Sequence, residues 1–278
     1  MRRLSGQTRL AGVIGAPVRH SLSPAMHNAA FEACGLDWLY LAFEVPPGHA
    51  RDALAGVRSL GIEGLSVTMP HKTDVAMCVD GCTPAASRLQ AVNTVRRRPD
   101  GTLEGFNTDG DGFLASLRDA GADPGGRRVV LLGAGGAGRA LALALGGAGA
   151  AEVVVVNRTP HAAATAAGLA GIHGRVGTVA DVANADLVVN ATPVGMGDDA
   201  GALPVDPSLL HAGQVVADIV VHPIDTAFLQ AARSAGATTV DGLGMLVHQA
   251  ALAFTLWTGQ DAPLAAMRAA AEQELADR

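Results

Sequence analysis

The 278-residue sequence predicts an α/β protein built in two domains, and three observations carry that expectation. Strand-like apolar runs alternate with helical stretches along nearly the whole chain, the pattern of helices laid on mostly parallel sheets. Gly133-Ala134-Gly135-Gly136-Ala137-Gly138 falls in mid-chain, after one apolar run and ahead of a helical one, so it opens a second α/β unit. The length suits about two domains, and 49% hydrophobic residues supply their cores. With aromatics at only 3%, those cores must be filled by Val, Leu, Ile and Ala.

In chain order, Leu10–Gly15 reads as a strand, Pro24–Cys34 as a helix stopped by Gly35, and Leu39–Val45 as a strand. Gly48–Leu60 reads as a helix stopped by Gly61, and Ile62–Thr68 as a strand, which completes one parallel βαβαβ unit. Val92–Arg97 and Thr102–Asn107 flank the turn signal Pro99-Asp100-Gly101. Paired about that turn, they set Asn93 opposite Phe106 and Asn107 and bring Asn93 and Asp109 together at the far end, with Arg96-Arg97-Arg98 at the exposed tip.

The second unit starts near Arg127. Arg128–Leu132 is a short apolar strand, Ala137–Gly147 a helix of small residues, and Val153–Asn157 a run of four valines fit for a strand buried on both faces. Leu187–Asn190, Val215–Val221 and Thr238–Val240 follow as strands separated by Ala-rich helical stretches, and Gly244–Trp257 and Ala262–Ala276 read as C-terminal helices. The expected organisation is a first domain over 1–112, a nucleotide-binding domain over 113–242, and helices over 243–278 that return to the first domain.

Composition narrows the partners. A formal charge of −6 with no long basic run offers no footprint for nucleic acid or an anionic membrane, so the expected partner is a small molecule. Arg2 and Arg3 are followed by a mixed polar stretch rather than an apolar one, and no uncharged window reaches transmembrane length, so a soluble, cytoplasmic protein is expected. Cys34, Cys78 and Cys82 are odd in number and Cys78-x3-Cys82 lacks further ligands, so no disulfide framework and no metal site is expected.

The chemistry sits in four places. In the fingerprint, Gly133 permits the turn, Gly135 lets the backbone approach phosphate oxygens, Gly138 allows close helix–strand packing, and the following helix N-terminus favours an anion. About 20 residues on, an NAD site would carry an acidic residue for the ribose; this chain has Asn157-Arg158-Thr159, whose guanidinium suits a 2′-phosphate, so NADP is favoured over NAD. Ser21 and Ser23 follow the first strand, where Ser23 before Pro24 also suits a helix N-cap. Thr68 and Lys72 follow the third, at a carboxyl strand end where open α/β sheets bind ligands, and a lysine sharing a cleft with Asp109 is placed for acid–base work. Asp111 reads as a solvent-facing or capping carboxylate, and His71 and His222 as local hydrogen-bonding residues.

Six motifs in order resemble the shikimate dehydrogenase family along nearly the whole chain: His20-Ser21-Leu22-Ser23-Pro24, Ser66-Val67-Thr68-Met69-Pro70-His71-Lys72, Ala91-Val92-Asn93-Thr94, Asn107-Thr108-Asp109-Gly110, Asn190-Ala191-Thr192-Pro193-Val194-Gly195-Met196, and Asp241-Gly242-Leu243-Gly244-Met245-Leu246-Val247-x-Gln249. The resemblance implies a substrate domain followed by a Rossmann-type domain, and NADPH-dependent reduction of 3-dehydroshikimate to shikimate in aromatic amino acid biosynthesis. It implies Lys72 and Asp109 as the catalytic pair, and Ser21, Ser23, Thr68, Asn93, Asp109 and Gln249 around the substrate. It assigns Gly133, Ala134, Gly135, Gly136, Ala137, Asn157, Arg158, Thr159, Thr192, Ile219 and Gly242 to the cofactor, with the nicotinamide between the domains.

Four departures from the family pattern stand out: Ser66 for Asn, Leu89-Gln90-Ala91 for Ile-Gly-Ala, Ala162 for a second basic residue, and Val221 for a tyrosine ahead of His222-Pro223. Quinate or an amino analogue of shikimate is the alternative substrate. A non-catalytic ligand sensor of the same fold is the alternative class, against which the presence of both Lys72 and Asp109 argues. A monomer or homodimer is expected.

Overall fold

Apolar runs long enough to bury both faces become the central strands. The computed structural model describes residues 4–278, so Arg2 and Arg3 lie outside the described residues. Arg9–Gly15 (β1) pairs in parallel with Trp38–Glu44 (β2) on one side and Gly64–Val67 (β3) on the other. The crossovers are Ser23–Ala33 (α1) and Ala50–Leu60 (α2), the latter ended by Gly61 in the left-handed region that glycine adopts without strain. The expected βαβαβ unit is therefore present.

Lys72–Cys78 (α3), Gly81–Cys82 (β4) and Pro84–Leu89 (α4) follow, then the hairpin of Thr94–Arg97 (β5) and Leu103–Phe106 (β6). β5 pairs antiparallel with both β3 and β6, and β4 lies parallel to β6, giving the order β2-β1-β3-β5-β6-β4. Thr94 stands opposite Phe106, and the Asn93 N–H donates to the Phe106 carbonyl at 3.0 Å, the register expected from the turn. At the tip, Arg96 and Arg98 both bind Glu104.

After Asp109–Asp119 (α5) comes a second sheet. Its strands are Arg128–Leu132 (β7), Glu152–Val156 (β8), Gly174–Val176 (β9), Leu187–Asn190 (β10), Val215–Asp218 (β11) and Thr238–Val240 (β12), all parallel, in the order β12-β11-β10-β7-β8-β9. Gly136–Gly147 (α6), Pro160–Leu169 (α7) and Ala227–Ser234 (α8) cover it. The valines at the centre of β8 are fully buried, as a strand covered on both faces requires. The sheet reverses direction of build at β7 and β10, the switch point where such folds bind dinucleotides. The chain ends in Gly242–Thr258 (α9) and Leu264–Ala276 (α10).

Two compact units result: one of the residues up to Thr108 with Ala250–Arg278, the other of Asp109–Gln249. In the first unit, α10 packs on α1. Phe254 stacks near Phe31 at 5.5 Å between centroids, and the Trp257 indole donates to the Val95 carbonyl at 3.0 Å. The indole occupies the space above Gly64, where a Cβ would lie 2.4 Å from the ring, so glycine is required there. His27 is wholly buried beside these aromatics, stacked on Tyr40 at 4.4 Å, with no hydrogen-bond partner on either nitrogen; burial lowers its pKa to about 3. Among the described residues no helix is long and apolar enough to cross a membrane.

Candidate active site

In the first unit the loops after β1 and β3 leave the sheet side by side. Thr68 N–H donates to the Ile14 carbonyl at 2.9 Å, and a Cβ on Gly15 would lie 2.4 Å from the Thr68 side chain, so Gly15 allows this close approach. On the β1 side, Ser21 Oγ accepts the Ser23 N–H at 3.2 Å. Ser23 is buried but is not the N-cap: Leu22 already has helical backbone angles, so the helical turn starts one residue early and the capping role expected of Ser23 falls away.

On the β3 side, the His71 ring donates from Nε2 to the Val45 carbonyl at 2.8 Å, a local structural role as expected. That bond ties down the turn from which Lys72, first residue of α3 and half-buried, emerges. Asn93 is buried at the end of the hairpin; its Nδ2 donates to Thr108 Oγ1 at 2.9 Å and its Oδ1 accepts the Thr108 N–H at 2.9 Å. The residue immediately ahead of Asp109 is thereby anchored.

In the second unit Asp109 is the first residue of α5 and is buried, while Asp111 is exposed. A carboxylate in the first turn is favoured by the helix dipole. A Cβ on Gly112 would lie 2.6 Å from the Gln249 backbone nitrogen, and one on Gly244 would lie 2.2 Å from Ser116 Oγ. These two glycines let α5 and α9 cross with their backbones nearly touching, which sets Gln249 against the turn that carries Asp109. His248 and Asp119, 2.8 Å apart, tie the same helices. Neither α5 nor this crossing is expected from the residue pattern, where glycines at 110, 112 and 244 are their trace.

The glycine loop follows β7. Gly133 has φ +103°, a conformation that suits glycine, and a Cβ on Gly138 would lie 2.2 Å from the Gly133 carbonyl oxygen. Gly135 is the N-cap of α6 with no side chain capping the helix, and the space where a Cβ on Gly135 or Gly136 would stand is open. The result is a cradle of backbone N–H groups at a helix N-terminus, fitted to a pyrophosphate. Ala134 N–H donates to Asn157 Oδ1 at 3.3 Å, linking the loop to the end of β8. Arg158 is exposed beside it, Thr159 is the N-cap of α7, and no acidic side chain stands at 157–159. Thr192 and Ile219 follow β10 and β11, and Gly242 opens α9. No group of three or more His, Cys, Asp or Glu side chains among the described residues is gathered to hold a metal ion.

A doubly wound parallel sheet with this cradle, joined to an α/β unit bearing a lysine at a strand end, defines an NADP-linked dehydrogenase. The family model for the shikimate dehydrogenase substrate-binding domain matches residues 13–95, that for the shikimate 5′-dehydrogenase C-terminal domain matches 242–272, and one described as NADP oxidoreductase, coenzyme F420-dependent, matches 128–222. The chain is 47% identical to shikimate dehydrogenase (NADP+) of Moorella thermoacetica, over 96% of this chain and 94% of that one. It superposes with a TM-score of 0.90 on the crystal structure of shikimate 5-dehydrogenase of Thermus thermophilus in complex with NADP(H) and shikimate, at 42% identity over 96% of this chain and all of that one. Quinate dehydrogenase of Corynebacterium glutamicum in complex with NAD gives 0.90 at 33% identity, over 96% and 99% of the two chains. The chain belongs to the shikimate dehydrogenase family.

Proposed function

We propose that the chain catalyses the reversible NADPH-dependent reduction of 3-dehydroshikimate to shikimate, in the cytoplasm, as a monomer or homodimer. The observation that carries this reading is Lys72 at the head of α3 in a chain whose second unit holds an uncapped glycine cradle. NADPH, when bound, supplies the hydride that reaches the ketone carbon. As negative charge grows on the ketone oxygen, Lys72 stabilises it and gives it a proton. Asp109 orients the lysine and a ring hydroxyl. Ser21 and Ser23 donate to the ring-acid carboxylate, and Thr68, Asn93 and Gln249 hold the remaining oxygens. A scan of NADPH oxidation with 3-dehydroshikimate, repeated with NADH and with quinate in reverse, tests the proposal; failure to turn over 3-dehydroshikimate while oxidising quinate would reject it.

Arg158 carries the cofactor preference. Arg158→Ala removes a charge-assisted contact to the 2′-phosphate, so the Michaelis constant for NADPH should rise about ten-fold or more while that for NADH barely changes. Equal losses for both would assign Arg158 to the fold.

Val221 favours a second reading, in which the substrate is quinate or an amino analogue. It stands half-buried beyond the end of β11, an apolar side chain where the family pattern has a phenol. Val221→Tyr should tighten shikimate binding by roughly several-fold, the worth of one hydrogen bond to a charged group, with turnover nearly unchanged. Unaltered binding with the fold intact by circular dichroism would place Val221 outside the substrate shell.

A further inference from the structure

Two polar side chains close the ends of neighbouring apolar strands in the second unit. Asn190 ends β10 and Asp218 ends β11; they stand in register, and both are buried. Asp218 Oδ1 accepts from Asn190 Nδ2 at 3.0 Å and from the Val220 N–H at 3.1 Å, while Oδ2 accepts from the Thr226 hydroxyl at 2.8 Å. Asn190 Oδ1 in turn accepts the Thr192 N–H at 3.1 Å and the Thr192 hydroxyl at 2.7 Å, and its Nδ2 also reaches the Val194 carbonyl at 3.2 Å. Burial raises the carboxyl pKa of Asp218, so the protein bears a desolvation cost at this point. Stitching two strands does not require that cost, because backbone bonds already join them.

What the pair does beyond stitching is wind both following loops onto one anchor. The loop after β10 carries Thr192 and the loop after β11 carries Ile219, whose N–H donates to the Asn190 carbonyl at 3.1 Å. Gly242 lies against the second loop, since a Cβ there would stand 2.4 Å from the Val220 carbonyl oxygen. In the sheet order, β8 with Arg158 flanks β7 on one side and β10 and β11 lie on the other. A dinucleotide with its pyrophosphate at the β7 loop and its 2′-phosphate at β8 extends its other half over β10 and β11.

We propose that Asp218 and Asn190 are positioning residues that hold the floor under the nicotinamide half of the cofactor, acting through Thr192, Ile219 and Gly242 rather than by touching the cofactor themselves. This rests on the NADP-binding reading of the second unit. Asp218→Asn keeps the shape but deprives one of the three donors of its acceptor. Titrations followed by fluorescence should show NADPH and NADH both weakened by about five-fold, in equal proportion, with the nicotinamide-free fragment 2′-phosphoadenosine diphosphoribose bound as before. Arg158→Ala gives the opposite pattern, so the two halves of the site are read separately. Equal weakening of the fragment, or unchanged affinity for all three ligands, would overturn the inference. If Asp218→Asn fails to fold, Thr226→Val loosens the same carboxylate from its other oxygen and should give the same pattern at about two-fold. Absence of NADPH binding by the unsubstituted protein would instead count against the cofactor reading.

Discussion

Lys72→Ala should lower turnover of 3-dehydroshikimate by about 10²–10⁴-fold with a far smaller change in its Michaelis constant, because a positioned general acid acts in the transition state more than in the ground state. The lysine sits at the head of a short helix whose preceding turn is pinned by His71 on the Val45 carbonyl. Its replacement therefore leaves the surrounding backbone held, and the loss can be read as chemistry. Asp109→Asn should lose comparable turnover. Steady-state kinetics with saturating NADPH measures both, and near-normal turnover with a raised Michaelis constant in Lys72→Ala would reassign the lysine to binding alone.

Acid should destabilise the protein through His27. This ring is neutral in the folded chain down to about pH 3, whereas in the unfolded chain it takes a proton near its ordinary 6.5. Above pH 6.5 both states are neutral at this position and stability is unaffected; as pH falls from 6.5 towards 3 the unfolded state alone gains a proton, and stability declines throughout that window. The loss amounts to about 2 kcal/mol between pH 7 and pH 5, rising to about 4–5 kcal/mol by pH 3. His27→Leu removes the titrating ring and two buried unpartnered nitrogens. Urea unfolding of the two proteins at pH 7 and pH 5 should give a difference of that size in their pH dependence; parallel losses would show that His27 titrates freely in the folded chain.

Much of the architecture was legible because long apolar runs have few other uses. Arg128–Leu132, Leu187–Asn190 and Thr238–Val240 stand where the sequence places strands, and Pro99-Asp100-Gly101 set the register of its hairpin. β4 has only two residues and so no period, and β9 opens on glycine and carries an arginine where the equally short β12 is β-branched throughout. α5 was hidden because Gly110 and Gly112 read as breakers although the approach of Gln249 demands a glycine at 112. The glycine cradle, Arg158 and the Lys72 turn could be argued from mechanism. Thr192, Ile219, Gly242 and Gln249 entered only through resemblance, since nothing in their spacing marks them. The Asn190–Asp218 pair, separated by 28 residues, acquires its meaning only once β10 and β11 lie side by side.

The seating of Trp257 over Gly64 has a consequence for the order in which the molecule is made. Two core clusters of the second unit draw on residues between Phe113 and Met245, within the compact stretch Asp109–Gln249, so this unit can close once that stretch has left the ribosome. The first unit cannot. Phe31, His27 and the bare backbone of Gly64 wait for Phe254 and Trp257, which follow the second unit in the chain. The second unit can thus close before the first, whose aromatic face stays uncovered until Phe254 and Trp257 have been made. Chains arrested just short of Ala250 should yield a protease-resistant second unit and a readily cut first one.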